Sequence, residues 1–230
     1  IDRQVLKKCS AAVVLSEYMR AEARSIFPGV ERKINVIPSG VDTRRFLPAV
    51  DKLEIRKGLG IPADKKVVFS LRRLSPRMGL ENLMLAMARL EKERNDIHLV
   101  VGGKGELESD LKQLIQRLNI RSVTLVGFIA EVDLPLFYRA SDLFVLPSVE
   151  LEGFGLVILE AMASGVPVLG TPIGAIPEVI GGVNRDLILK SPAAEDIALG
   201  ISEWATRLPQ PALSAQVRSY AEGFTWSKIG

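Results

Sequence analysis

The sequence predicts an α/β fold built on a doubly wound, Rossmann-like parallel sheet. From Lys65 onward, short apolar runs alternate with stretches of helical period. The apolar runs are continuous, as in strands buried on both faces, and parallel strands linked by helices produce such burial. A third observation singles out Leu146 to Gly170, LPSVELEGFGLVILEAMASGVPVLG, which reads as strand end, tight loop, helix and second buried strand. Glu160 lies there inside the otherwise apolar run VILEAMA. A buried carboxylate is costly unless something pairs with it.

In chain order, residues 1 to 8 read as the end of an amphipathic helix. Ala11 to Leu15 is a short strand, and Ser16 is a good N-cap for a helix reaching about Phe27. Ile34 to Ile37 is a strand closed by Pro38-Ser39-Gly40. The polar stretch VDTRRFLPAVDK then reads as a linker, dividing a first segment, residues 1–42, from a main domain, 43–230. The first segment is too short to fold alone. In the main domain Val67–Leu71, Ile97–Val101, Val123–Val126, Leu143–Leu146, Val166–Leu169 and Leu187–Leu189 read as strands. Gly79–Arg94, Leu107–Leu118, Val132–Ala140, Leu156–Ala163, Ala193–Leu208 and Leu213–Gly223 read as helices. Leu80, Leu83, Met84, Met87 and Leu90 form one apolar face of the first of these.

Composition narrows the classes. Hydrophobic residues at 47% and charged residues at 25% describe an ordinary globular protein. A net charge of +3 suits an anionic ligand but is too weak and scattered for nucleic acid. One cysteine, Cys9, excludes an internal disulfide framework or a cysteine-based metal site. The single histidine, His98, alternates with apolar residues in DIHLVV and reads as a plain strand position. Val157 to Val183 is apolar but broken by Glu160, Pro167, Pro172, Pro177 and Glu178, against a transmembrane helix. With Ile1 first and no charged-then-apolar leader, the chain reads as a cytoplasmic fragment.

A doubly wound sheet takes ligands beyond its strand C-termini, where strand order reverses. With the usual order, the strands ending at Leu71 and Leu146 are neighbours there. The loops leaving them are LRRLSPRMG and PSVELEGFG. Gly153 and Gly155 let backbone approach a ligand closely, and the helix behind them, from Leu156, aims free N–H groups at the crevice. Arg72, Arg73 and Arg77 face them, and a guanidinium fork matches phosphate oxygens. Arginine and helix N-terminus together suit a diphosphate. Carboxylates accept from hydroxyls, so Glu160 suits a ribose diol and Glu152 a sugar ring.

IPSGVDTRRF, RRLSPRMGLENLMLA, VVGGKGEL, VTLVGFI, ASDLFVLPS and the Glu-x7-Glu element from Glu152 to Glu160 occur in that order. On these motifs the chain resembles the retaining group-1 (family 4) glycosyltransferases of GT-B fold over roughly residues 10–190. The resemblance implies the C-terminal, donor-binding half of a two-domain enzyme that transfers a hexose from a nucleoside-diphosphate sugar without a metal or other cofactor. It implies that Glu160 holds the ribose, Glu152 binds hydroxyls of the sugar, and amides around Gly153, Phe154, Gly155 and Leu156 touch sugar and diphosphate. Arg73 would neutralise the departing diphosphate, and Ile129 would offer backbone groups to the base. The acceptor site would lie in the absent N-terminal domain. One departure stands out: the family's lysine before the loop glycine is here Met78, and Arg72 replaces a usual glycine. Arg77 or Arg72 is therefore expected to supply the second positive charge.

The rival readings are weaker. A glycosidase with Glu152 and Glu160 as acid and nucleophile leaves the arginine loop unused. A dinucleotide-dependent oxidoreductase needs G-x-G-x-x-G after the first strand, where RRLSPRMG stands. A non-catalytic nucleotide-sugar-binding or assembly module is the main alternative, kept open by Met78. The basic balance favours contact with a membrane surface. Residues 1–40, with exposed strand edges, are candidates for self-association.

Overall fold

A computed structural model describes residues 3–229. Residues 1 and 2 of the expected helix end lie outside the described residues. The chain opens with α1 (Arg3–Lys8), β1 (Ala12–Val14), α2 (Glu17–Ile26) and β2 (Ile34–Val36). Ser16 caps α2 as its residue type predicts, accepting from the Met19 amide at 3.1 Å. β1 and β2 pair in parallel, Val14 opposite Val36, over a small cluster of Leu6, Val14, Ala23, Val30 and Ile34. This segment docks on the rest of the chain. Glu178 accepts from the Glu17 and Tyr18 amides, and Ser16 Oγ donates to Gly153 O at 2.7 Å.

VDTRRFLPAVDK has no strand or helix of more than a single bridge or turn before Asp51, but it is no loose tether. Val41 and Phe46 are buried in the main core, and Arg218 donates to Thr43 O and Phe46 O. The helix α3 (Lys52–Leu59) follows, to which the sequence reading assigns no element. Its signals are present: Asp51 accepts from the Leu53 and Glu54 amides, and Gly60 ends it at φ 66°.

The main sheet then builds in order: β3 (Lys66–Leu71), α4 (Leu80–Glu93), β4 (Ile97–Gly102), α5 (Glu108–Arg117), β5 (Val123–Gly127), α6 (Leu134–Ala140), β6 (Leu143–Leu146), α7 (Leu156–Ala163) and β7 (Val168–Gly170). α8 (Ile176–Gly181), α9 (Ala194–Arg207), α10 (Pro211–Ala221) and α11 (Trp226–Ile229) complete the described chain. The sheet order is β5-β4-β3-β6-β7, all parallel, with Phe69 opposite Phe144 where β3 meets β6. The expected reversal between the strands ending at Leu71 and Leu146 is therefore present. Every residue of β4, β6 and β7 is buried, as continuous apolar strands require. α4 buries Leu80, Leu83, Met84, Ala86, Met87 and Leu90, the predicted face plus Ala86.

Two strand expectations need correction. Leu187–Leu189 is not a strand: Asn184 accepts from the Asp186 amide at 2.9 Å and starts a 3-10 turn, Arg185–Leu187. Only Ile188 is left extended, as a single bridge to Gly170. The strand expected from Val166 begins at Val168, because the Val166 amide closes α7 on Ala161 O and Pro167 has no N–H. His98 is buried in β4, its ring Nε2 2.9 Å from Thr124 Oγ1, and burial draws its pKa down. Among the described residues no helix is long and apolar enough to cross a membrane.

Candidate functional site

The loops after β3 and β6 meet at the C-terminal edge of the sheet. The loop after β3 is stitched on both sides: Leu74 N donates to Lys104 O, and Val149 N donates to Arg77 O, both at 3.0 Å. Between them lies a cavity of about 450 Å³ bounded by Arg73, Ser75, Arg77, Glu106 and Glu150 among others. Arg73 and Arg77 are exposed there, with Arg77 Nη1 donating to Leu151 O at 3.2 Å. Arg72 points the other way, into the fold. Its side chain is 7% exposed and its Nη2 donates to Glu152 Oε2 at 2.6 Å.

Backbone geometry holds Glu152 in place. Leu151 before it sits at φ 51°, a left-handed conformation costing a non-glycine residue about 1–2 kcal/mol. Such strain persists only where the surroundings over-determine it. Ala175 N donates to Glu152 O at 2.8 Å. Gly174 makes that approach possible, since at φ +59° a Cβ there would sit 2.1 Å from Glu152 O. Gly153 lies against Met19 of α2, while the Phe154 ring is buried against Phe224, anchoring the loop.

Gly155, at φ 80°, opens α7, and no side chain caps it. Ile158 N turns back to Gly155 O at 2.8 Å, so the amides ahead of it, those of Leu156 and Val157, are the ones a ligand can take, with the positive end of the helix dipole behind them. Along α7, Leu156 is exposed and Val157 and Glu160 are half-buried, while Ile158, Leu159, Ala161, Met162 and Ala163 are buried. Positions 156, 157 and 160 share one stripe. Glu160 therefore escapes the core that its apolar neighbours enter. Its partner is Tyr138, whose hydroxyl donates to Glu160 Oε2 at 2.6 Å. Burial raises the Glu160 pKa, the Tyr138 hydrogen bond pulls it back, and the charge of Glu131 pushes it up again, leaving it above its ordinary value. Tyr138 is fully buried, and burial first, then Glu160, holds its hydroxyl well above the usual range, so the proton stays on the tyrosine. Ile129 is half-buried just beyond β5, its side chain against Gly102, beside an exposed Phe128.

The structure thus gathers Glu152, Gly153, Phe154, Gly155, Leu156, Arg72, Arg73 and Arg77 on the two facing loops, with Glu160 further along α7 and Ile129 beyond β5. Sequence reasoning did not single out Tyr138 or Ser148, whose Oγ accepts from Arg72 Nη2 at 2.9 Å. Their signals are faint: a polar-tipped aromatic in the apolar helix LPLFYRA, and a serine directly after a strand-ending proline.

The comparisons with known proteins agree with this architecture. The family model described as glycosyl transferases group 1 matches residues 51–222. A GDP-mannose-dependent monoacylated alpha-(1-6)-phosphatidylinositol monomannoside mannosyltransferase of Corynebacterium glutamicum is 31% identical over 241 residues, covering 99% of this chain and 63% of its own. The structure of Anabaena Alr3699/HepE in complex with UDP-glucose superposes with a TM-score of 0.86 at 25% identity, covering 98% of this chain and 62% of that one. The C-terminal domain of a glycosyl transferase group 1 family protein (LpcC) from Francisella tularensis gives 0.67 at 26% identity, covering 82% of this chain and 98% of that domain. The chain spans 57% and 63% of the length of the first two curated relatives it matches. A parallel sheet of this order with a carboxylate-bearing helix at its reversal point, under a family match reaching from α3 to the end of α10, is the C-terminal-type domain of the GT-B fold, and the chain belongs to the group 1 glycosyltransferases.

Proposed function

We propose that this chain is the donor-binding half of a retaining glycosyltransferase that moves a hexose from a nucleoside-diphosphate sugar to an acceptor hydroxyl. The observation that carries the reading is placement about the strand reversal: exposed arginines of the loop after β3 line a cavity, and the loop and helix after β6 carry an uncapped helix start and two glutamates held by Arg72 and Tyr138. Relatives described as GDP-mannose-dependent and as bound to UDP-glucose support a nucleotide-sugar donor. In this reading the nucleotide sugar is a co-substrate and no other cofactor takes part.

Glu160 accepts from the ribose hydroxyls, held for that task by Tyr138. Glu152 accepts from hydroxyls of the transferred sugar, and Ile129 offers backbone groups to the base. During transfer the bond from the anomeric carbon to the diphosphate oxygen breaks. The acceptor oxygen bonds on the same face, its proton passes to the departing diphosphate oxygen, and the nucleoside diphosphate leaves with its remaining charge against Arg73 and the first turn of α7. Charge stabilisation by pre-oriented groups is the largest lever on such a barrier. The acceptor enters from the other domain of the GT-B pair, with residues 3–42 as the edge of that domain.

The test is a calorimetric titration of the chain with GDP-mannose, UDP-glucose, GDP and UDP. At least one of the sugar nucleotides is expected to bind, weakly, and the chain by itself is expected to transfer little sugar. Binding of none overturns the donor reading, and robust transfer by the 230-residue chain overturns the division of labour between domains. The pH dependence follows from Glu160. Its raised pKa means that the ionised, diol-accepting form is lost as pH falls through a value above the ordinary glutamate range of about 4.3. Donor affinity should therefore weaken in that window, and Glu160→Gln should bind less tightly with the acidic fall removed. An acidic fall that survives in Glu160→Gln assigns it to another group.

A further inference from the structure

Two buried arginines in this fold are held differently. Arg56 has all its nitrogens engaged: Nε donates to Ala140 O at 2.7 Å, Nη1 to Lys65 O at 3.1 Å and Nη2 to Asp142 Oδ2 at 2.6 Å. That is how a cation serving the fold is accommodated. Arg72 is equally enclosed but its Nε is buried with no partner among the described residues. Its Nη2 is instead crowded, within reach of Glu152 Oε2 at 2.6 Å, Ser148 Oγ at 2.9 Å and Met78 Sδ at 2.7 Å. An orphaned buried donor in a native fold calls for an explanation outside packing.

The explanation lies in what the crowded end holds. Ser148 Oγ is also 3.2 Å from Glu152 Oε2, so one carboxylate oxygen is gripped by both groups. No hydrogen bond among the described residues reaches the other oxygen, Oε1. We propose that Arg72 is a positioning residue for Glu152: it fixes Oε2 from inside the fold and leaves Oε1 for a hydroxyl of the transferred sugar. This rests on the donor reading above, and it separates Arg72 from Arg73 and Arg77, which stand exposed at the cavity. Arg72 acts on the sugar through Glu152, not on the diphosphate.

Met78 extends the argument. Its sulfur lies against the guanidinium, so a lysine at 78 ends in the space that Arg72 fills. The cation that Glu152 requires can therefore come from either position, but not from both, because two cations in that enclosed space repel. The pair Arg72→Gly with Met78→Lys keeps one cation beside Glu152. Arg72→Gln removes the charge and ends where Nε stands, short of Glu152, and Met78→Lys alone adds a second charge.

The test is calorimetry of the chain with UDP-glucose against UDP and GDP-mannose against GDP, with thermal melts as the check on folding. The readout is the ratio of sugar-nucleotide Kd to nucleotide Kd, which a general loss of structure does not move. Arg72→Gln and Met78→Lys are each expected to raise that ratio about tenfold, with nucleotide affinity nearly unchanged, and the double variant to return it to within about threefold of the parent. An unchanged ratio in Arg72→Gln, equal weakening of both ligands, or a folded double variant without recovery overturns the proposal. If Arg72→Gln does not fold, Arg72→Lys carries the test. It keeps the charge but ends one bond short of Nη2, the nitrogen that reaches both Ser148 and Glu152, so the ratio should again rise, and an unchanged ratio overturns the assignment. Should the parent chain bind none of the four ligands, the donor reading itself fails. Should it bind them while the variants behave otherwise, only the role of Arg72 fails.

Discussion

Replacing Arg73 by alanine is expected to slow sugar transfer by about 10²–10³-fold, roughly 3–4 kcal/mol of transition-state stabilisation, with the melting temperature unchanged. The contrast between rate and stability is what makes the result informative. Arg73 is exposed at the mouth of the cavity, and removing an exposed side chain away from caps and networks shifts stability by only about 0.5 kcal/mol. In the proposed function, however, departure of the nucleoside diphosphate places new negative charge beside Arg73. A guanidinium with two parallel donors is suited to that charge in a way a single amide is not. The measurement is the initial rate in a polypeptide that joins this chain to the acceptor-binding half that the proposed function calls for, alongside a thermal melt. A rate within about threefold of the parent would remove Arg73 from the chemistry, because a transition-state contact must cost far more than that. Lysine at this position should recover part of the rate, since it restores charge without the fork.

Asp142→Ala is expected to destabilise the fold by about 3–5 kcal/mol, a fall in melting temperature of roughly 6–20 °C. Asp142 Oδ2 accepts from Arg56 Nη2 at 2.6 Å and from the Val67 amide at 2.9 Å, and Oδ1 accepts from Lys52 Nζ at 3.2 Å. Its side chain is 16% exposed and that of Arg56 only 6%. Deleting the carboxylate leaves the Arg56 charge enclosed and uncompensated, the costly way to break a buried pair. It also removes one of the ties between α3 and the start of the sheet, and leaves the Val67 amide of β3 without its acceptor. A loss below about 1 kcal/mol would show that Arg56 finds another partner. The pH dependence has a definite sign. Burial alone would raise the Asp142 pKa, but Lys52, Arg56 and the Val67 amide together draw it below its ordinary value. Its contribution is therefore complete above the unfolded value of about 3.9 and is lost as pH falls through the lower folded value. Acid unfolding of the parent should steepen below about pH 4, and Asp142→Ala should flatten that limb.

These two residues also mark how far the sequence could be read. Arg73 is a candidate from the sequence because it stands in the loop directly after an apolar strand that a parallel sheet must place beside the one ending at Leu146, and because the family resemblance implies a diphosphate contact there. Asp142 is not, because ASDLF carries no signal that its aspartate faces an arginine 86 residues away. The same division runs through the site. Glu152 and Glu160 were conspicuous as carboxylates beside glycines and in an apolar helix, but not the groups that hold them. Arg72 meets Glu152 across 80 residues, and Tyr138 meets Glu160 across 22.

Short-range pattern determined a good deal. Continuous apolar runs separated by helical periods required a parallel sheet buried on both faces, and Ser16 capped its helix where its type predicts. The glycine-flanked loop before Leu156 placed an uncapped helix start at the strand reversal. These features depend on residues within a turn or a strand of one another, so local stereochemistry and burial decide them. Closure of the sheet decided the rest. It brought Tyr138 of α6 onto Glu160. It also drew Arg72 inward onto Glu152 while leaving Arg73 at the cavity, a division that two adjacent arginines in RRLSPR cannot announce. A charge buried in a fold must find its partner there, and which partner is within reach is a property of the packed layers, not of the neighbouring residues.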